Sequence, residues 1–96
     1  MQDDINQEIT FRKLSVFMMF MAKGNIARTA EAMKLSSVSV HRALHTLEEG
    51  VGCPLFVHKG RNLLPLQAAW TLLEYCQDVM SLMSRGLEAT RKVAGV

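Results

Sequence analysis

A chain of 96 residues that is 49% hydrophobic and 21% charged has room for one small packed domain and is too apolar to be read as disordered. The length excludes folds that need 200 residues or more, together with the catalytic architectures built on them. The net charge of +2 is too small to point to a partner, but between Lys23 and Asn62 six basic residues (Lys23, Arg28, Lys34, Arg42, Lys59, Arg61) stand against Glu31, Glu48 and Glu49, with His41, His45 and His58 in the same stretch.

Residues 1–6 lack the basic start and apolar run of a signal peptide, and no stretch is long and apolar enough to span a membrane, so a cytoplasmic location with no membrane partner is expected. The first periodic segment runs from Phe11 to Ala22. Leu14, Phe17, Met18 and Met21 recur at helical spacing, Phe20 and Met19 widen the stripe, and Gly24 is a natural stop. Met and Phe in such a stripe serve as core filler. Asn25 can cap a second helix, Ile26 to Met33, whose small residues Ala27, Ala30 and Ala32 let a neighbouring backbone come close. After a short turn through Lys34 and Leu35, Ser36 caps a third helix from about Ser37 to Glu49.

Val40, Ala43, Leu44 and Leu47 mark the buried side of that third helix, leaving Ser37, His41, Arg42 and His45 on the opposite side. Two short helices joined by a tight turn make a helix-turn-helix unit. The outer face of its second helix is polar, partly basic and free of carboxylates until Glu48, as a surface that meets phosphate requires. Gly50 and Gly52 are both read as ending the helix. Leu55–His58 and Leu63–Leu64 then form a small hairpin with a basic tip, where Lys59 and Arg61 flank Gly60.

From Leu66 to about Lys92 there is no proline and only one glycine, Gly86, which predicts a single helix of roughly 40 Å. Leu66, Leu73, Met80 and Leu87 repeat every seven residues, with Ala69, Cys76, Met83 and Thr90 at the intermediate positions. An apolar seam of that length calls for a partner helix, and a second copy of the same helix is the most economical one. We therefore expect a homodimer held by Leu66, Ala69, Leu73, Cys76, Met80, Met83 and Leu87, with the helices either parallel or antiparallel. Cys53 and Cys76 form no CxxC pair, a usage that fits a reducing compartment.

Taken in order, the elements Ala30-Glu31-Ala32-Met33-Lys34-Leu35-Ser36, then Val40 and Arg42, Leu47-Glu48-Glu49, Gly52-Cys53-Pro54-Leu55-Phe56, and Gly60-Arg61 with Leu63, Pro65 and Ala68, resemble the N-terminal winged helix-turn-helix domain of LysR-type bacterial transcriptional regulators. The likeness extends from Leu14 to the late eighties. It implies a mainly α fold: a winged helix-turn-helix domain over residues 1–65 with a two-stranded wing, a long C-terminal linker helix for dimerisation over 66–92, and a tail, 93–96, leading to an effector-binding domain that is absent here. A DNA-binding fragment of a longer regulator is the expectation, with double-stranded DNA and a second copy as partners. No cofactor is expected in this part, and any small-molecule effector belongs to the missing domain.

The resemblance further implies that the third helix enters the major groove while the wing lies along the backbone or minor groove. Ser37 and Val38 stand where many members have Gln-Pro, His41 where a serine is common, and His58 in place of the usual wing arginine. Leu66 and Ala69 replace a threonine cap and a glycine at the start of the linker, a loss of about 1 kcal/mol that a long packed helix tolerates. The base-reading candidates are therefore taken from the chemistry present. Ser37 is a short donor or acceptor, and Val38 an apolar contact for a thymine methyl. His41 is a donor to phosphate or a purine edge, and Arg42 either a phosphate clamp or a bidentate guanine reader. Asn25, Arg28, Ser36, His45, His58, Lys59 and Arg61 are the candidates for phosphate and wing contacts that position the domain.

Catalysis is not expected, because no acid, base and nucleophile converge. His41 and His45 lie one turn apart without an evident third metal ligand, so no metal site is expected either. The rival reading is a helical protein-interaction or dimerisation module whose basic face is incidental, and RNA binding is a lesser one.

Overall fold

The computed structural model describes residues 8–96, so the reading of residues 1–6 as lacking a signal peptide lies outside the described residues. Four helices and one hairpin follow in the order α1 (Phe11–Lys23), α2 (Ile26–Met33), α3 (Ser37–Val51), β1 (Phe56–Lys59), β2 (Asn62–Pro65) and α4 (Gln67–Ala94). This is the mainly α, winged helix-turn-helix architecture that the sequence predicts.

Each of the first three helices is bounded by its own cap. The side chains of Thr10, Asn25 and Ser36 accept from the backbone N–H groups of Lys13, Arg28 and Ser39, at 3.1, 2.8 and 3.0 Å. Their C-termini turn off through left-handed residues, Gly24, Lys34 and Gly52. Lys34 does this at φ +57°, a conformation a lysine rarely adopts. The turn is fastened by the Leu35 N–H donating to the Ala30 carbonyl at 2.9 Å, which lets the half-buried Leu35 side chain pack against the core.

α1, α2 and α3 pack on one another around Val16, Phe17, Phe20, Ala30, Val40, Leu44 and Leu47, all buried. The predicted α1 stripe is rotated. Phe17 is fully enclosed, but Val16 and Phe20 are the other buried residues, while Leu14, Met18 and Met21 are half-buried. The reason is that α1 is covered on more than one side: Phe20 meets Phe56 of the wing edge-on at 5.3 Å, and Leu14 lies with Leu72 and Cys76 where α1 meets α4. Thr29 is fully buried, and its hydroxyl is satisfied by donating to the Asn25 carbonyl at 2.8 Å.

One predicted boundary is corrected. Gly50 does not end α3 but sits inside it, and Gly52, at φ +88°, is the terminating residue. A β-carbon on Gly50 would fall 2.8 Å from the Glu8 Cβ and 2.9 Å from the Ile9 Cγ1, so this glycine serves close approach of the segment before α1. β1 and β2 pair antiparallel from Phe56↔Pro65 to Lys59↔Asn62. Between them Gly60 has a positive φ of 63° and Arg61 does not, the pattern of a II′-type hairpin turn. The Leu66 N–H donates to the Leu55 carbonyl at 2.8 Å and fixes where α4 departs from the wing. The Cα radius of gyration is 15.0 Å, against about 12.5 Å for a compact chain of this length, because the far half of α4 projects away from the packed part.

Candidate nucleic-acid interface

The face of α3 opposite Val40, Leu44 and Leu47 lies open to solvent. Ser37, Val38, His41, Arg42 and His45 are all exposed, Val38 at 65% although it is apolar. Val38, His41, Arg42 and His45 line one shallow depression on this face. Ser36, at the head of the helix, has its hydroxyl oxygen engaged in the N-cap and also donates to the Ser39 hydroxyl at 2.9 Å. The only carboxylates of α3 lie in its last turns. Glu49 stands 3.8 Å from the His45 ring, and Glu48 turns the other way, toward the wing.

Glu48 holds the two parts of the face together. Its Oε2 accepts from the backbone N–H groups of both Leu55 and Phe56, at 2.8 and 3.1 Å, so the chain entering β1 is tied to α3 by charge-assisted bonds. In the sequence Glu48 stands out as the first acidic residue of the helix and as part of Leu47-Glu48-Glu49, without a contact of its own. The available signal was a carboxylate in the last helical turn followed by a Gly-Cys-Pro loop whose next N–H groups need an acceptor. Held in this way, β1 brings the exposed His58 beside His41, with ring centroids 6.1 Å apart and planes inclined by 33°.

The wing tip reaches a different neighbour. Arg61 and Asn62 line a depression with Gly24, Asn25, Ile26 and Ala27 at the start of α2, so Asn25 and Arg61 are brought together. The Asn25 side-chain oxygen is already engaged as the cap of α2. Arg28 and Lys59 are exposed, and neither forms an ion pair among the described residues. A further basic residue was missed. Arg12, in the first turn of α1, lines the same hollow as Ser39 and Arg42, placing a second guanidinium at the edge of the α3 face. Its position in an apolar helical stripe gave no hint of this, since the α1–α3 crossing decides it.

The expected α4 seam is divided by the structure, and two of its members are corrected. Ala69 and Cys76 are buried against the chain's own core, at 0% and 2% exposure, and Leu73 is half-buried there, because α4 lies across α1. Burial pushes the Cys76 thiol up, so it stays protonated and inert, whereas Cys53 is exposed. Leu66, Met83 and Leu87 are exposed and Met80 is half-buried. Trp70, Tyr75, Val79 and Leu82 add further exposed apolar surface to α4. Among the described residues no helix is long and apolar enough to cross a membrane, and no group of three or more His, Cys, Asp or Glu side chains is placed to hold a metal ion.

Residues 11–69 match the family model of the bacterial regulatory helix-turn-helix proteins of the lysR family. The chain belongs to that family. The matched span contains every exposed α3 and wing residue described above, and it ends at the start of α4. Among its relatives, the chain is 97% identical over its whole length to a malonate utilization transcriptional regulator of Klebsiella pneumoniae, covering 31% of that protein. It is 31% identical over 87 residues to the HTH-type transcriptional regulator CbbR of Xanthobacter flavus, covering 91% of this chain and 25% of CbbR. The chain thus spans about a third or less of the length of these relatives. Among solved structures it is similar to the CbnR DBD–DNA complex, with a TM-score of 0.85 and 26% identity over 90% of this chain and 99% of that one. It also resembles full-length CbnR complexed with its target DNA, at a TM-score of 0.81 and 25% identity over 86% of this chain and 29% of CbnR.

Proposed function

We propose that this LysR-family chain binds double-stranded DNA in a sequence-specific manner as a homodimer, placing α3 in the major groove of each half-site, and so serves a cytoplasmic transcriptional regulator. The observation that carries this reading is the α3 face itself: five exposed side chains, Ser37, Val38, His41, Arg42 and His45, with its carboxylates confined to the last turns and turned to the wing or to His45. A protruding helix with donors and one exposed apolar contact on its outer side has the chemistry to read base edges. Arg12, Arg28, Lys59 and Arg61 are spread around it at positions suited to phosphate contacts. The DNA in the CbnR complexes supports the same reading by likeness of fold.

In this reading the exposed apolar residues of α4, from Leu66 and Trp70 to Leu82, Met83 and Leu87, meet a second copy, and the two α3 helices address half-sites about 34–36 Å apart or at multiples of that distance. No residue here is assigned a chemical reaction or a cofactor. A small-molecule effector, where one acts, would be held by the part of such regulators that lies beyond the region matched here.

The test is binding of the wild-type chain and Arg42→Ala to duplexes selected from a randomised library. Loss of a guanidinium that reads a base lowers affinity for the selected duplex about 5- to 150-fold and relaxes preference at one position of the site. Loss of a phosphate contact lowers binding to all duplexes alike and reduces the salt dependence by about one counterion. An Arg42→Ala protein that binds as the wild type does would overturn the reading and favour the protein-interaction module.

A further inference from the structure

We propose that duplex binding by this domain is proton-linked through His41 and His58, which act as one unit bridging α3 and the wing and engage the DNA backbone in their charged form. The proposal rests on the duplex-binding reading above. Its basis is a juxtaposition not visible in the chain order: two exposed imidazoles from different elements, with centroids 6.1 Å apart, at the junction of the α3 face and β1. Leu44, Phe56 and Leu63 form the apolar floor beneath them.

The charged and titratable groups around the pair decide the sign. From α3, Arg42 shares one depression with His41, and His45 and Glu48 line the space between His41 and His58. β1 contributes His58 itself, and β2 contributes only the apolar Leu63 to that space. The single carboxylate there, Glu48, is occupied by the Leu55 and Phe56 N–H groups, while Glu49 lies beside His45 rather than His41. Among the described residues Glu48 is the one carboxylate lining this space, so two positive rings at 6.1 Å beside Arg42 are short of negative charge. Phosphates laid along this junction supply that negative charge, so the charged imidazoles gain more from the complex than from the free domain.

Protons are then taken up on binding. Affinity is highest on the acid side of the range in which imidazole titrates, between about pH 5 and 8, and falls as pH rises through it. His45 has Glu49 as an alternative partner 3.8 Å away, so its contribution is smaller.

The experiment measures Kd for a duplex selected by the wild-type chain from a randomised library, and for a scrambled duplex, at pH 6, 7 and 8 and constant ionic strength. Wild type, His41→Gln, His58→Gln, His45→Gln and the His41→Gln/His58→Gln double variant are compared, with circular dichroism confirming that each folds. The expected result is an affinity about tenfold or more higher at pH 6 than at pH 8 for the wild type, a dependence of less than about twofold in the double variant, and a near-normal one in His45→Gln. Imidazole resonances of His41 and His58 followed with and without the duplex should titrate at higher pH in the complex. A flat wild-type profile, or a profile that survives the double substitution, overturns the proposal. Failure to prefer the selected over the scrambled duplex at any pH overturns instead the duplex-binding reading on which it rests.

Discussion

The two halves of α4 carry the same apolar heptad pattern and meet different fates. From Gln67 to Met80 the helix lies against the packed domain, burying Ala69 and Cys76 and half-burying Leu72 and Leu73. From Ser81 onward every residue is exposed, including Leu82, Met83 and Leu87 at 62%, 44% and 48%. Periodicity states that a helix has an apolar side and is silent about what covers it. In the first half the cover is the chain's own α1; in the second no described residue of the chain covers it.

The sharpest way to break this contrast is to remove apolar bulk from each region. Phe20 is 1% exposed and packs edge-on against Phe56. Phe20→Ala should cost about 3–5 kcal/mol, most of the stability of a domain this small, read as a lowered denaturation midpoint. The paired substitution Leu82→Glu with Leu87→Glu should leave the fold of the packed part intact, with a change below about 0.5 kcal/mol at dilutions where the chain is monomeric. It should raise the concentration for half-dimerisation by about tenfold or more in sedimentation equilibrium, since each charge must be desolvated or excluded at the seam. Equal loss of fold from both changes would mean that the distal helix is part of the same core.

The same division separates what was legible in the sequence from what was not. Element order, the caps of α2 and α3, the hairpin tip and the open α3 face were readable, because Asn25, Ser36, Gly24, Gly52 and Gly60 each act on their immediate neighbours in the chain. What escaped was decided by contacts between distant segments. The partition of the seam needs to know that α4 crosses α1. The meeting of His41 with His58 needs the wing held against α3 by Glu48, and the placing of Arg12 beside Arg42 needs the angle between α1 and α3. Gly50 was misread for a related reason, since helix-end chemistry and a close tertiary approach both call for glycine.

That ambiguity supplies the smallest but most discriminating test, in which one substitution is made in two helices. In an exposed helix interior Gly→Ala stabilises by roughly 0.5–1 kcal/mol, through lower backbone entropy in the unfolded chain. Gly86 in the distal half of α4 has nothing within 4 Å of an added β-carbon, so Gly86→Ala should show that gain as increased helicity in dilute solution. Gly50 in α3 offers the same propensity gain, but its β-carbon would meet the Glu8 Cβ at 2.8 Å and the Ile9 Cγ1 at 2.9 Å. Overpacking of that kind costs about 1–3 kcal/mol, which exceeds the gain, so Gly50→Ala should lower the denaturation midpoint by a net of about 1 kcal/mol. A rise in both proteins would mean that the segment before α1 moves aside freely and that Gly50 is, after all, only a weak point in the helix. A fall in both, with Gly86→Ala losing stability only as concentration brings the chains together, would place Gly86 where a partner helix comes close and locate the uncovered half of α4 in the dimer.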